Sequence, residues 1–252
     1  MSAHYDTYDY PNYWIGRDYE HGSEIIALKA FLDLIPRIGT VIEIGTGFGR
    51  LVPTYLYRAK RVILTDPSSK LLKIARVEFA SVKNIRIIHS CVEALSDKLK
   101  SKSADLVIMV RVLHHIDDLD KALTAVEKLV KPNGYFILEF ANKMHLKATL
   151  IQFLKGNLTF RFDIFPSDKR SQKSRRQNSI NFLNYHPDIV LEKLKYYGFS
   201  VVEKRSVSNI RSSFIKRLIP SYTLLAYEKH LQKPLSGINF GPSVFVLARK
   251  RG

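Results

Sequence analysis

A single cysteine, Cys91, stands among 252 residues. One thiol excludes an internal disulfide framework and a zinc site built on cysteine clusters, and a reducing, cytoplasmic setting is the simplest expectation. Long apolar runs are missing too: no stretch reaches the ~20 residues that a bilayer-spanning helix needs. The first 18 residues are polar and aromatic, with Asp6, Asp9 and Asp18, and lack the apolar segment of a secretory signal. Acidic residues are scarce, 23 Asp and Glu against 40 Lys and Arg, for a formal net charge of +17. Such a surplus attracts RNA, an anionic membrane surface or acidic substrates, but a lysine-rich solvated surface gives the same total, so charge alone names no partner. Repeats and low-complexity tracts are absent. What is present can bury a core: 46% of residues are hydrophobic and 11% aromatic, in a length that suits one large domain or one domain with insertions.

Short β-rich runs alternate with helical patterns, the signature of a mostly parallel sheet. The spacing predicts helices over Glu24–Leu34, Arg50–Arg58 (with Pro53 in its first turn), Pro67–Val82 and Asp118–Lys131. Strands are expected at Thr40–Ile44, Arg61–Thr65, Ile85–His89, Ala104–Val110 and Tyr135–Phe140, with Pro132-Asn133-Gly134 as a turn before the last of these. A basic, amphipathic stretch, 141–185, then interrupts the alternation. It resumes with a helix at Pro187–Tyr197 and a strand near Ser200–Arg205, is interrupted again over 206–241, where a helix is expected around Phe214–Leu231, and closes on a strand at Val244–Ala248. The reading is a single α/β domain over 1–252: a Rossmann-like, seven-stranded, mostly parallel sheet with helices on both faces, the last strand antiparallel, and helical insertions after strands five and six forming a substrate-side cap.

The first strand runs into Glu43-Ile44-Gly45-Thr46-Gly47-Phe48-Gly49. Glycines belong where backbone turns sharply or approaches a ligand without a Cβ in the way. The dinucleotide fingerprint G-x-G-x-x-G wants a further glycine where Arg50 stands, which speaks against a nicotinamide oxidoreductase. A pyrophosphate-free nucleoside such as S-adenosylmethionine (SAM) does not need that spacing, and its cationic amine and sulfonium suit an acid at the strand end, Glu43. At the end of the second strand, Asp66 can accept hydrogen bonds from both hydroxyls of a ribose, and Pro67 offers a rigid apolar face to an adenine.

These residues carry a resemblance. VIEIGTGFGR at Val41–Arg50, TDPSSKLLKIAR at Thr65–Arg76, ADLVIMVRVLHHIDD at Ala104–Asp118 and LVKPNGYFILEF at Leu129–Phe140 together resemble the class I SAM-dependent methyltransferases, nearest to the ubiquinone and menaquinone biosynthesis group. The likeness runs from about Ile25 to Phe140. It implies SAM as cofactor, with Gly45, Thr46 and Gly47 along its methionine and ribose, Asp66 on the ribose hydroxyls, Cys91 and Val92 beside the adenine, and Arg111 and Val112 near the methionine and reacting methyl. Many relatives carry an aspartate where Cys91 stands, so an acceptor for the adenine amino group is missing there; Glu93 is the nearest substitute.

Other residues invite weighing. His114 and His115 are either packing fixtures or, for His115 first, a general base; with only Asp117 and Asp118 nearby no metal is expected. The aromatic run Tyr10–Glu20 reads as part of a lid over 1–23, with Tyr13, Arg17 and Tyr19 as its contacts and Arg17 as a partner for the SAM carboxylate, or else as Trp14 packed on the domain's flank. Asn-Pro-Pro-Tyr is absent after the fourth strand, where Arg111-Val112-Leu113-His114 stands, which argues against DNA exocyclic-amine methylation. The acceptor expected is a small molecule, apolar or aromatic, met by the insertions. Alternatives are RNA, with Lys169–Arg176 on its phosphates, and a non-catalytic SAM-binding or scaffold protein.

Overall fold

Strands buried on both faces need apolar residues of both parities, and 41–44, 62–64 and 106–109 supply them. The computed structural model describes residue 6 and residues 9–116, 118–176 and 181–252. In chain order it places helices α1 (Tyr10–Tyr13), α2 (Asp18–Asp33), α3 (Val52–Tyr55), α4 (Ser69–Glu78), α5 (Leu95–Lys98), α6 (Leu119–Leu129), α7 (Leu146–Leu154), α8 (Gln172–Arg176), α9 (Pro187–Tyr196), α10 (Ser213–Leu218) and α11 (Ser221–Ser236). The strands are β1 (Ile38–Ile44), β2 (Ala59–Asp66), β3 (Ile85–His89), β4 (Ala104–Met109), β5 (Val130–Ala141), β6 (Ser167–Asp168), β7 (Leu183–Asn184), β8 (Phe199–Val207) and β9 (Ser243–Lys250).

Seven strands form one sheet in the order β3-β2-β1-β4-β5-β9-β8. β1 to β5 are parallel, and β9 lies antiparallel between β5 and β8, which is the expected Rossmann-like arrangement with its last strand reversed. β6 and β7 pair only with each other, within the first insertion. One face of the sheet (Ile42, Ile44, Val107, Met109, Phe136, Leu138, Val246) packs on α6 and α9, while the other (Val41, Val62, Leu64, Leu106, Ile108, Leu247) packs on α2 and α3. The chain winds outward through β1, β2 and β3, then crosses back to lay β4 on the free edge of β1. In open α/β sheets this reversal leaves a crevice beyond the carboxyl ends of the strands, where ligands bind.

Several boundaries differ from the sequence pattern for definable reasons. α2 starts at Asp18 rather than Glu24, because residues 18–23 pack through polar groups: the Tyr19 hydroxyl donates to Glu228 of α11 (2.5 Å), and Gln232 Nε2 donates to the Ser23 carbonyl (2.8 Å). The helix expected at Arg50–Arg58 is split into the short α3 and a 3₁₀ turn over Leu56–Arg58. Pro132-Asn133-Gly134 lies within β5, yet the ladder steps from Ala104–Val130 to Leu106–Tyr135 and leaves the breakers in an irregularity, with Asn133 at φ +62°. The helix expected around Phe214–Leu231 is broken at Pro220, which has no N–H to continue it and leaves Ile219 extended.

Candidate active site

The carboxyl ends of β1 to β4 converge on a cleft of about 420 Å³, within the range of ~300–1,000 Å³ common for small-ligand sites. The bend after β1 is held by one carbonyl: both the Gly45 and Thr46 N–H groups donate to Thr65 O (2.8 and 3.0 Å). Gly45 is left-handed (φ +72°), and a Cβ there would stand 2.1 Å from Val112 Cγ2, so only glycine lets the bend lie against the loop after β4. Gly49 (φ +90°) serves packing instead, since a Cβ would strike the Phe79 ring at 2.3 Å.

Asp66 ends β2 in the cleft wall. Its Oδ2 accepts from Gly47 N (2.8 Å) and its Oδ1 from Ser68 N (2.7 Å). These bonds fix the plane of the carboxylate and leave each oxygen a lone pair for a ligand hydroxyl. Burial raises its pKa, against the pull of the two N–H groups, to about 6. Around it, Ile44, Pro67, Leu71, Val92 and Ile116 supply apolar wall, and Ser90 and the exposed Cys91 lie at the β3 end. An apolar cleft with a fixed carboxylate and a bare backbone bend has the chemistry to hold a nucleoside: Pro67 and Val92 could face a base, and Asp66 could accept from ribose hydroxyls.

Of the residues singled out in the sequence, Gly45, Gly47, Asp66, Pro67, Cys91, Val92, Glu93, Arg111, Val112 and His115 line this cleft. Glu43 and Thr46 do not. Glu43 shares the parity of Val41 and points to the α2–α3 face, where it accepts from Thr46 Oγ1 (2.7 Å) and the Tyr55 hydroxyl (2.5 Å). Burial pushes its carboxyl up to about 7, so it braces the bend from beneath rather than facing a cation in the cleft. Tyr13 and Arg17 line a second cavity, described below, with the Arg17 guanidinium stacked 4.0 Å from the centre of the Tyr13 ring. Tyr19 is buried on α11 and also accepts from Ile210 N (3.0 Å). Of the N-terminal segment 1–23, residues 1–5, 7 and 8 lie outside the described residues, as does Asp117.

The cleft residues that the pattern did not reveal are Tyr10, Leu71, Ser90, Ile116, Asp118 and Lys121. Tyr10 belongs to the aromatic run and lies against Gly47: a Cβ on that glycine would sit 3.4 Å from the ring. Asp6 crosses the same opening, accepting from Ser68 Oγ (2.6 Å) and Lys70 N (3.1 Å). Trp14 is held by cations, with Arg50 Cζ 3.5 Å and Arg111 Cζ 4.7 Å from its ring centre. Both guanidiniums bond the buried Glu24. Burial would raise the Glu24 carboxyl, but Arg111 and Arg50 more than offset it and hold the pKa below the usual range.

Arg111 is the hinge of the site. It is left-handed (φ +59°) and its N–H donates to Glu139 Oε2 (2.7 Å). On its far side lies a cavity of about 220 Å³, which shares Arg111 with the first. The histidine pair divides between them: His115 lines the first, His114 the second, with ring centres 3.9 Å apart. His115 Nδ1 lies 2.7 Å from Asn181 O. A carbonyl only accepts, so a neutral ring there donates from Nδ1 and carries its lone pair on Nε2, the tautomer a base needs. His114 is buried and its pKa is driven well below the usual value by burial, His115 and Arg111, so it is neutral. Among the described residues no group of three or more His, Cys, Asp or Glu could hold a metal ion.

Comparison with known proteins places this geometry. Residues 42–138 match the family described as "Methyltransferase domain". Over that stretch the chain is similar to methyltransferase domains. An uncharacterized methyltransferase of Mycobacterium bovis is 32% identical over 111 residues, which are 43% of this chain and 55% of that protein. A ubiquinone biosynthesis O-methyltransferase of Rhizobium etli is 26% identical over 118 residues, 47% of each. The chain thus spans about half the length of the curated relatives it matches. Over its whole length it shares its fold with the crystal structure of a SAM-dependent methyltransferase from Thermotoga maritima (20% identity, 98% of each chain covered, TM-score 0.66). The family match ends at residue 138, ahead of both insertions.

Proposed function

We propose that this protein transfers a methyl group from SAM to a small-molecule acceptor with an apolar or aromatic body. The observation that carries the reading is the Asp66 carboxylate, fixed by two backbone N–H groups across from the glycine bend. SAM when bound supplies a methyl already activated on a sulfonium: the acceptor's lone pair forms the new bond as the carbon–sulfur pair returns to sulfur, leaving S-adenosylhomocysteine (SAH) and a proton. The chain's own part is then alignment and exclusion of water. Gly45 and Gly47 bring backbone to the methionine portion, Asp66 orients the ribose, Pro67, Cys91 and Val92 flank the base, and the Tyr10–Trp14 segment closes the opening as a lid. His115 takes the acceptor's proton where the acceptor must lose one. The insertions 141–185 and 206–241 form the acceptor side. Their exposed Leu150, Phe153, Leu154 and Phe214, flanked by Lys147, Lys155 and Arg217, favour contact of this side with an anionic membrane surface; among the described residues no helix is long and apolar enough to cross one. The RNA alternative has less in its favour, because Arg170 and Arg175 of the basic stretch are turned onto Asp168. Incubation with methyl-tritiated SAM and separate pools of quinones, phenols, lipids and total RNA tests the proposal: label in a small-molecule pool is expected, and label confined to RNA overturns it.

A further inference from the structure

The second cavity, beyond Arg111, is unfinished in a specific way. Among the described residues, five buried side-chain polar atoms have no hydrogen-bond partner, and three of them, His114 Nδ1, Asn184 Oδ1 and Ser208 Oγ, belong to residues that line this one cavity. Each such atom costs about 1–3 kcal/mol when left unmet. They come from three separate elements: the turn after β4, β7 in the first insertion, and the start of the second insertion. Together they offer a carbonyl acceptor, a hydroxyl and a neutral imidazole nitrogen, a set that reads a polar group able both to donate and to accept.

The charge around the cavity is one-sided. Its acids are engaged: Glu20 pairs with Lys216, and Glu139 takes the Arg111 N–H and the Ser243 hydroxyl. Arg17 and Arg211, in the same wall, make no ion pair among the described residues. The His145 ring beside them is pushed down to about 4 by burial and then by Arg211, Lys169 and Lys147, which reports the same positive field. Phe182, 41% exposed, gives the wall an aromatic face.

Resting on the methyl-transfer reading above, we infer that this cavity is the acceptor site and that the acceptor is a small acid. Its hydroxyl or amine is read by Asn184, Ser208 and His114, its apolar body lies on Phe182, and its carboxylate or phosphate is held between Arg17 and Arg211. The volume, below that of a drug-sized site, keeps the acceptor small. The positive charge of the chain is, at this place, substrate recognition.

The test pairs acids with their neutral methyl esters in a panel of aromatic and aliphatic hydroxy, amino and thiol compounds, with methyl-tritiated SAM as donor and the full chain as enzyme. Labelled acids should exceed their esters at least tenfold in kcat/KM. The Arg17→Met/Arg211→Met double variant should bring acid and ester within twofold, through KM rather than kcat, with SAH affinity by calorimetry unchanged within twofold. Asn184→Leu, a milder variant, should slow the acids and leave SAH binding intact. Esters methylated as fast as acids, a panel without label, or a crystal of the SAH complex soaked with the best acid whose cavity holds only ordered water overturns the inference. If the chain does not bind SAH at all, the cofactor reading itself has failed, and calorimetry reports that separately.

Discussion

Around the cofactor cleft each buried carboxylate has its partners: Asp66 its two backbone N–H groups, Glu43 the hydroxyls of Thr46 and Tyr55, Glu24 the guanidiniums of Arg50 and Arg111. Around the second cavity, on the other side of the same Arg111, His114, Asn184 and Ser208 keep polar atoms without partners among the described residues, and α7, which follows His145 of its wall, exposes Phe153 and Leu154 by 62% and 75%. The first region is preorganised and needs only its ligand. The second is left incomplete by the described residues. That contrast is physical: a donor for many methylations is held by one fixed constellation, whereas an acceptor site must leave groups unsatisfied until its own molecule arrives.

The contrast can be broken at its strongest point first. Glu24→Gln removes the anion between two buried cations and should cost about 3–5 kcal/mol of stability, read by chemical denaturation; a loss below 1 kcal/mol would mean that the network is not what ties Trp14 and Arg111 to α2. In the wild type this contribution is present above the ordinary carboxylate pKa and fades as pH falls through the lower folded value, because the paired form of Glu24 is the ionised one. Next, Asp66→Ala should weaken SAH binding by roughly a hundredfold, since hydrogen bonds to a charged group contribute about 1.5–3 kcal/mol each; unchanged affinity in calorimetry would remove the ribose from Asp66.

A smaller effect comes from protons. The Asp66 carboxyl titrates at about 6, raised by burial, and its ionised form is the better acceptor for ribose hydroxyls. SAH affinity should therefore be flat above pH 7 and fall by up to about tenfold per pH unit below 6; a flat profile down to pH 5 contradicts this. Trp14→Ala, which releases two cation–π contacts, should cost about 0.5–2 kcal/mol, seen as a lower Tm and a few-fold weaker SAH binding. Of the opposite sign, Ser208→Ala should cost the ligand-free protein nothing and stabilise it by up to about 1–3 kcal/mol, because the buried hydroxyl it deletes has no partner to lose. A loss of 2 kcal/mol there would show that the two regions are finished alike.

Much of the first region was legible before the fold was known. Ile85–His89 matches its strand end to end, and Gly45, Gly47 and Asp66 stand where the glycine bend and strand-end acid were expected. These features are local, and a run of a few residues carries both the pattern and the element. Glu43 shows where local reading stops. The motif names an acid at the strand end, but the side it faces depends on the parity it shares with Val41 and on Tyr55 waiting on α3. Tyr10 could be suspected as an aromatic, not as the one that meets Gly47, because the path of the segment depends on Asp6 reaching Ser68 and Trp14 reaching Arg50.

By itself, then, the order of residues determined the alternating sheet, the glycine bend and the acid at the end of β2, since periodicity and backbone preference act between near neighbours. Only the tertiary structure decided that Glu24 would sit between Arg50 and Arg111, that Tyr19 would bond Glu228, and that His114, Asn184 and Ser208 would share one cavity. Those groups lie far apart along the chain, and nothing in a stretch of sequence records which distant side chain will lie opposite it once the sheet has brought the segments together.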